Sequence, residues 1–139
     1  MSQRGSLSVE FAILTPTLVV LFGLIIGGAR TWLAHSAVEH MAGAAARAAS
    51  LERSVGQAKV AAEALAARQA AASGTRCEPL TVELDAAGLT RPAGSSGQVV
   101  AMVRCQVPLA DIVVPGWPGR VEVSASAKAV VDTYRGHRP

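Results

Sequence analysis

From Phe11 to Ala29 the chain reads FAILTPTLVVLFGLIIGGA, nineteen residues without a charge, closed by Glu10 on one side and Arg30 on the other. As a helix such a run is about 28 Å long, close to the thickness of a bilayer's hydrocarbon core. Pro16 stands near its start. In lipid a proline there kinks a helix rather than ending it, because nearby groups satisfy the carbonyl it leaves free. Two other readings compete. A cleaved secretory signal needs a basic start and an apolar region of only about 7–15 residues; Ala34-His35-Ser36 would be its cleavage site. A buried core helix needs cover on all sides, and a chain of 139 residues has little to spare for it. A retained membrane anchor fits best.

The flanks set an orientation. Arg4 lies on the short side of the run, while Arg30 and a long region of mixed charge follow it. The short basic end is expected to stay cytoplasmic and the rest to be exported. Cys77 and Cys105 are the two cysteines, both in the distal half. In an oxidising compartment such a pair tends to bond, and two buried free thiols are the alternative.

Little in the chain suggests catalysis. Aromatic residues are 4% of the total, so Ala, Val and Leu carry an apolar fraction of 50%, which argues against a large aromatic-lined pocket. That fraction and a net charge of only +3 exclude a wholly disordered chain. The basic residues are scattered singly, without the cluster or stacking platform that nucleic-acid binding requires. His35 and His40 stand five apart and face different ways on a helix, with no Cys or carboxylate read at a ligand spacing; His137 is in the tail. No metal site, cofactor or small-molecule substrate is expected, and neither is an enzyme.

The head of the apolar run is more telling. It reads Arg4-Gly5-Ser6-Leu7-Ser8-Val9-Glu10-Phe11. A carboxylate at the edge of a hydrocarbon segment is costly and usually serves a purpose. A glycine, four residues, then Glu and an aromatic at the mouth of an apolar helix resembles the processing site of type IV-class prepilins. Gly5 through Pro16 (GSLSVEFAILTP) resembles more narrowly the opening of TadE-like proteins, the minor pilins or pseudopilins of Tad (Flp) pili. The resemblance implies a prepilin peptidase that cuts after Gly5. It would remove a leader, 1–5, and make Ser6 the mature N-terminus, with Phe11 part of the recognised motif. It implies that Glu10 pairs with the ammonium of a neighbouring subunit and fixes the register between them. It also implies partners: membrane lipid, other pilin-like subunits and the assembly machinery. The alternative is an unprocessed, membrane-anchored extracytoplasmic binding domain.

Past the span, assigned to 6–32, Ala-rich helical character continues over 33–72. Val38, Met41, Ala45, Ala48, Leu51, Val55, Ala58, Ala62 and Leu65 recur every three or four residues, as one stripe. Ser54-Val55-Gly56-Gln57 resembles a capping box and is expected to restart the helix near 54, with an unbroken helix as the close alternative. Gly23 and Gly27 form a G-x-x-x-G pair of the kind that lets membrane helices pack closely. After Gly74 the period changes to two. Leu80–Asp85, Gln98–Val107 and Val121–Val131 read as strands, separated by the turn-rich 91–97 and by a Pro/Gly loop around Trp117. Residues 73–134 then form a small β domain, with 135–139 a tail. Three strands with one apolar face need a cover, and the Ala-rich helix supplies it. The expected fold is α+β: a long N-terminal helix, membrane span plus exported stalk, with a small three-stranded antiparallel sheet packed on its distal part. Strand pairing would bring Cys77 near Cys105, and closing that loop is worth about 3 kcal/mol.

Overall fold

The structure, a computed structural model, describes residues 4–112, 116 and 118–134, with side chains from Val9 onward. Met1 to Gln3 of the expected leader, Trp117, His137 and the tail lie outside the described residues. The elements are helix α1 (Arg4–Leu51), helix α2 (Val55–Ser73), strand β1 (Leu80–Asp85), a 3-10 turn (Ala87–Thr90), strand β2 (Gly97–Pro108), the short helix α3 (Leu109–Ile112) and strand β3 (Arg120–Val131). The three strands form one antiparallel sheet in the order β1-β2-β3. The α+β architecture read from the sequence is the one observed.

The helix does restart near 54. Ser54 is extended, and its side chain accepts a hydrogen bond from the Gln57 N–H. At the other end, Gly74 (φ 68°) closes α2 in the left-handed conformation, and its N–H donates to the carbonyls of Ala70 and Ala71. A single apolar stripe through the break is not observed. The chain reverses at 52–54, and α2 folds back along α1. A shallow cavity walled by Ala37 and His40 of α1 and by Gln69, Ala72 and Ser73 of α2 puts the end of α2 beside the middle of α1. Leu51 and Val55, assigned to the stripe, flank the turn and are 62% and 47% exposed. Ala58, Ala62, Ala66 and Ala70 form the buried edge of α2, one residue per turn. They meet Ala42, Ala45, Ala46 and Ala49 of α1 in one core. Alanine lets the backbones approach closely and loses no side-chain entropy on burial, but each residue buries little area.

The sheet covers the helical hairpin. Val99, Ala101, Val103, Cys105 and Val107 of β2 are all buried, as their alternation requires, against Val38 and Met41 of α1. β3 contributes Val123 and Val131, with Ala125, Ala127 and Ala129 packed at the edge of the core. The far face is polar and carries an exposed Arg104–Glu83 pair at 3.5 Å. Burial begins at Ala34, four residues past Arg30, so almost no free stalk separates the apolar run from the folded part. Cys77 and Cys105 are disulfide-bonded, and their loop ties the α2–β1 connection to β2.

The 3-10 turn and β2 meet through two glycines. A Cβ at Gly88 would overlap the Gln98 backbone, and one at Gly97 would overlap the Gly88 carbonyl. Neither obstruction is a side chain that could swing away. Gly88→Ala is therefore expected to lower the unfolding free energy by about 3 kcal/mol, at the upper end for overpacked sites. Gly43→Ala, in α1 with nothing near the new methyl, is expected to raise it by up to about 1 kcal/mol through helix propensity. Denaturant melts of the two variants should move in opposite directions; a neutral Gly88→Ala would show that the turn can shift.

Candidate functional site

Among the described residues, the first half of α1 from Val9 onward has no tertiary packing. From Val9 to Leu33 its large side chains are about half or more exposed, Phe11 at 68%, Leu24 at 70% and Trp32 at 70%. None of its most apolar eighteen-residue window is buried within the chain. This single helix is long and apolar enough to cross a membrane. Its polar atoms are looked after locally. Thr15 Oγ1 donates to the Phe11 carbonyl at 2.7 Å and Thr17 Oγ1 to the Ile13 carbonyl at 3.2 Å. These bonds bracket Ala12, whose carbonyl loses its usual donor because Pro16 has no N–H. Thr31 Oγ1 likewise donates to Gly27. Hydroxyls bonded back to their own helix can enter hydrocarbon without an unpaired group.

Glu10 is the exception. It is exposed at the head of this apolar surface and, among the described side chains, no cation or hydrogen-bond donor meets its carboxylate. Gly5 and Ser6 lie in the first turns of α1, Ser6 one turn (about 6 Å of rise) before Glu10. Phe11 follows on the exposed apolar surface. The four residues singled out at the head of the run thus stand on one continuous helix. A Cβ added at Gly23 or Gly27 would meet nothing. Among the described residues, nothing packs against the smooth face they make.

At its other end the apolar segment is tied to the folded part. Arg30 Nη1 donates to the Asp111 carbonyl of α3 at 3.2 Å, and Asp111 Oδ2 lies 3.9 Å from Arg76 Nε. The sequence offered no periodic signal for α3, four residues between a strand and a loop, so this link was not foreseen. The reading that neither helical histidine has a carboxylate at hand is corrected. His35 Nε2 lies 3.5 Å from Glu39 Oε1, one helical turn on, with both side chains more than half exposed. The i,i+4 rule that finds such pairs could have found this one. Among the described residues no group of three or more His, Cys, Asp or Glu is placed to hold a metal ion.

Residues 5–47 match the family described as TadE-like protein. The match starts at Gly5, takes in Ser6, Glu10, Phe11, Gly23 and Gly27, and ends within α1. It covers the exposed apolar helix and the first packed turns, and leaves α2 and the sheet outside. A TadE-like segment points to a component associated with the Tad pilus system. No curated protein and no solved structure matches the chain.

Proposed function

We propose, from the premise that residues 5–47 form a TadE-like segment, that this chain is a non-enzymatic subunit of a Tad (Flp) pilus system, a minor pilin or pseudopilin. A prepilin peptidase cuts after Gly5, and Ser6 becomes the mature N-terminus. The exposed half of α1 anchors the protein in the cytoplasmic membrane, with the N-terminus cytoplasmic and the α2–sheet domain outside. The observation that carries the reading is Glu10, an exposed carboxylate with no described partner at the head of an uncharged, apolar stretch of α1. Its partner is then a cation from outside the chain, the Ser6 ammonium of a neighbouring subunit. Pairing lowers the cost of holding both charges among apolar helices and sets the axial register. The smooth Gly23/Gly27 face gives a neighbouring helix a close approach. The Cys77–Cys105 bond supports export, since such bonds persist in oxidising compartments.

Intact mass and N-terminal sequencing of the protein from a native membrane fraction test the processing step. The expected chain begins at Ser6. A chain that keeps residues 1–5 while the peptidase is active leaves the second reading, an unprocessed membrane-anchored binding domain. A start near residue 37 would overturn both. Glu10→Ala separates processing from assembly. It is expected to be cleaved as the parent is, yet to cut incorporation into pili or pilus precursors at least about tenfold, as for removal of one partner of a buried pair. Normal piliation by this variant in a null background would remove the carboxylate–ammonium pairing from the proposal.

A further inference from the structure

We propose that the base of the folded domain holds the phosphate headgroup of an anionic phospholipid from the membrane that α1 enters. The inference rests on the anchor reading of α1 and goes beyond it. Arg30 is the first charge after the apolar run, so its guanidinium stands where the hydrocarbon ends. The headgroup layer on each side of a bilayer is about 5–7 Å deep. Ala34, the first buried residue of the domain, is only about 6 Å further along the helix. The underside of the domain is therefore at the level of the phosphates.

That underside is not flat. It holds an open cleft of about 560 Å³, walled by α1, the α2–β1 connection and the β2–α3 junction. The volume is in the range of small-molecule sites. Arg30, His40 and Arg76 bring cationic or donor groups to it from two directions; Thr75 adds a hydroxyl, and Ile112 and Ala34 an apolar side. Asp111 brings the cleft's one carboxylate and meets both arginines, Arg76 through that carboxylate and Arg30 through its backbone carbonyl. Its contact with Arg76 is long, 3.9 Å, and Arg76 is 73% exposed. Arg30 is held by the Asp111 backbone carbonyl rather than by the carboxylate. The Asp111 carboxylate is thus engaged only by Arg76, and at long range, which leaves both guanidinium groups able to take a further anion. A phosphodiester fits that demand, because guanidinium forks match its oxygens. The acyl chains of a lipid held there would run down beside Leu33 and Trp32, both exposed just below the domain.

The test uses the full chain reconstituted in nanodiscs of equal parts phosphatidylcholine and phosphatidylglycerol. After release into detergent, native mass spectrometry counts the lipids retained. Phosphatidylglycerol is expected to be retained over phosphatidylcholine by about fivefold or more. Arg76→Gln should reduce that preference by about fivefold, the scale for one basic side chain at a membrane surface. Arg30→Gln should do the same, while Arg104→Gln, on the polar face of the sheet, should leave it unchanged. Equal retention of the two lipids, or an equal effect of Arg104→Gln, would overturn the proposal. So would displacement of the lipid by millimolar inorganic phosphate, which would make the cleft a site for free phosphate. Failure of the chain to enter nanodiscs at all would overturn the anchor reading and this inference with it. Entry without lipid preference would overturn this inference alone.

Discussion

Gly5→Trp is expected to leave the precursor uncut, with cleavage slowed at least about 100-fold. Gly5 and Ser6 are helical in the free chain, whereas a peptidase needs the scissile peptide opened and extended. Unwinding there is cheap. The first turn of a helix has N–H groups without intrahelical partners, helix ends fray at almost no cost, and glycine favours the helix less than alanine by about 1 kcal/mol. Glycine also lets a cleft close on the backbone with no side chain between them. An indole at that position both fills the space and displaces the peptide, and a displacement of about 1 Å can cost 100-fold in rate. Intact mass and immunoblotting of membrane fractions would show a single species still carrying residues 1–5. Gly5→Ala, which adds only a methyl, should be cut more slowly than the parent and faster than Gly5→Trp. Full cleavage of Gly5→Trp would mean that the processing site is elsewhere.

The second large effect concerns the disulfide. Removing it by Cys77→Ala with Cys105→Ala is expected to lower the stability of the folded part by about 3.5 kcal/mol. That is the chain-entropy value for the separation of 28 residues between the cysteines. A domain of this size has about 5–15 kcal/mol in total, and its helix interface is built from alanines that bury little area. The exposed apolar half of α1 takes no part in this core, so the loss should be local. Limited proteolysis of membrane-embedded protein should cut the β strands and the α2–β1 connection of the variant while α1 survives to about Ala34. Cys105→Ser should be worse than Cys105→Ala, because position 105 is fully buried and a hydroxyl there would lack a partner, at about 1–3 kcal/mol. An unchanged protease pattern in the double variant would show that packing alone holds the sheet to the hairpin.

The strands were legible because one side of each faces a core and the other faces water. Val99 to Val107 alternate without interruption, and every one of the five apolar positions is buried. The helix restart was legible because a cap is local: Ser54 and Gln57 are three apart, and their bond needs nothing else. The reversal was not. A spacing of three and four residues looks the same whether the second helix continues the first or lies back against it, and Leu51 and Val55 fitted the stripe while standing at the turn. The close approach of Gly88 and Gly97 depends on a packing that no local pattern reports. At the head of α1, Glu10 stood out by itself, since a carboxylate beside an uncharged run is conspicuous in any composition, while Gly5, Ser6 and Phe11 were singled out only by the resemblance to prepilin openings. The Arg30–Asp111 link joins residues 81 apart in the chain, and no motif connects them.

The reversal at 52–54 also fixes the molecule's reach. Because α2 returns toward the apolar segment, the turn Glu52-Arg53-Ser54 is the end of the helical hairpin that lies away from that segment. The distance from Ala34 to Leu51, about 26 Å along the axis, is the height to which the helical hairpin rises. The β1 approach, α3 and the cleft all stand at the low end of that column. Matched insertions of two turns in α1 and α2 would raise the hairpin's end at 52–54 while leaving the base where it is. Height and footing are separately adjustable in this design.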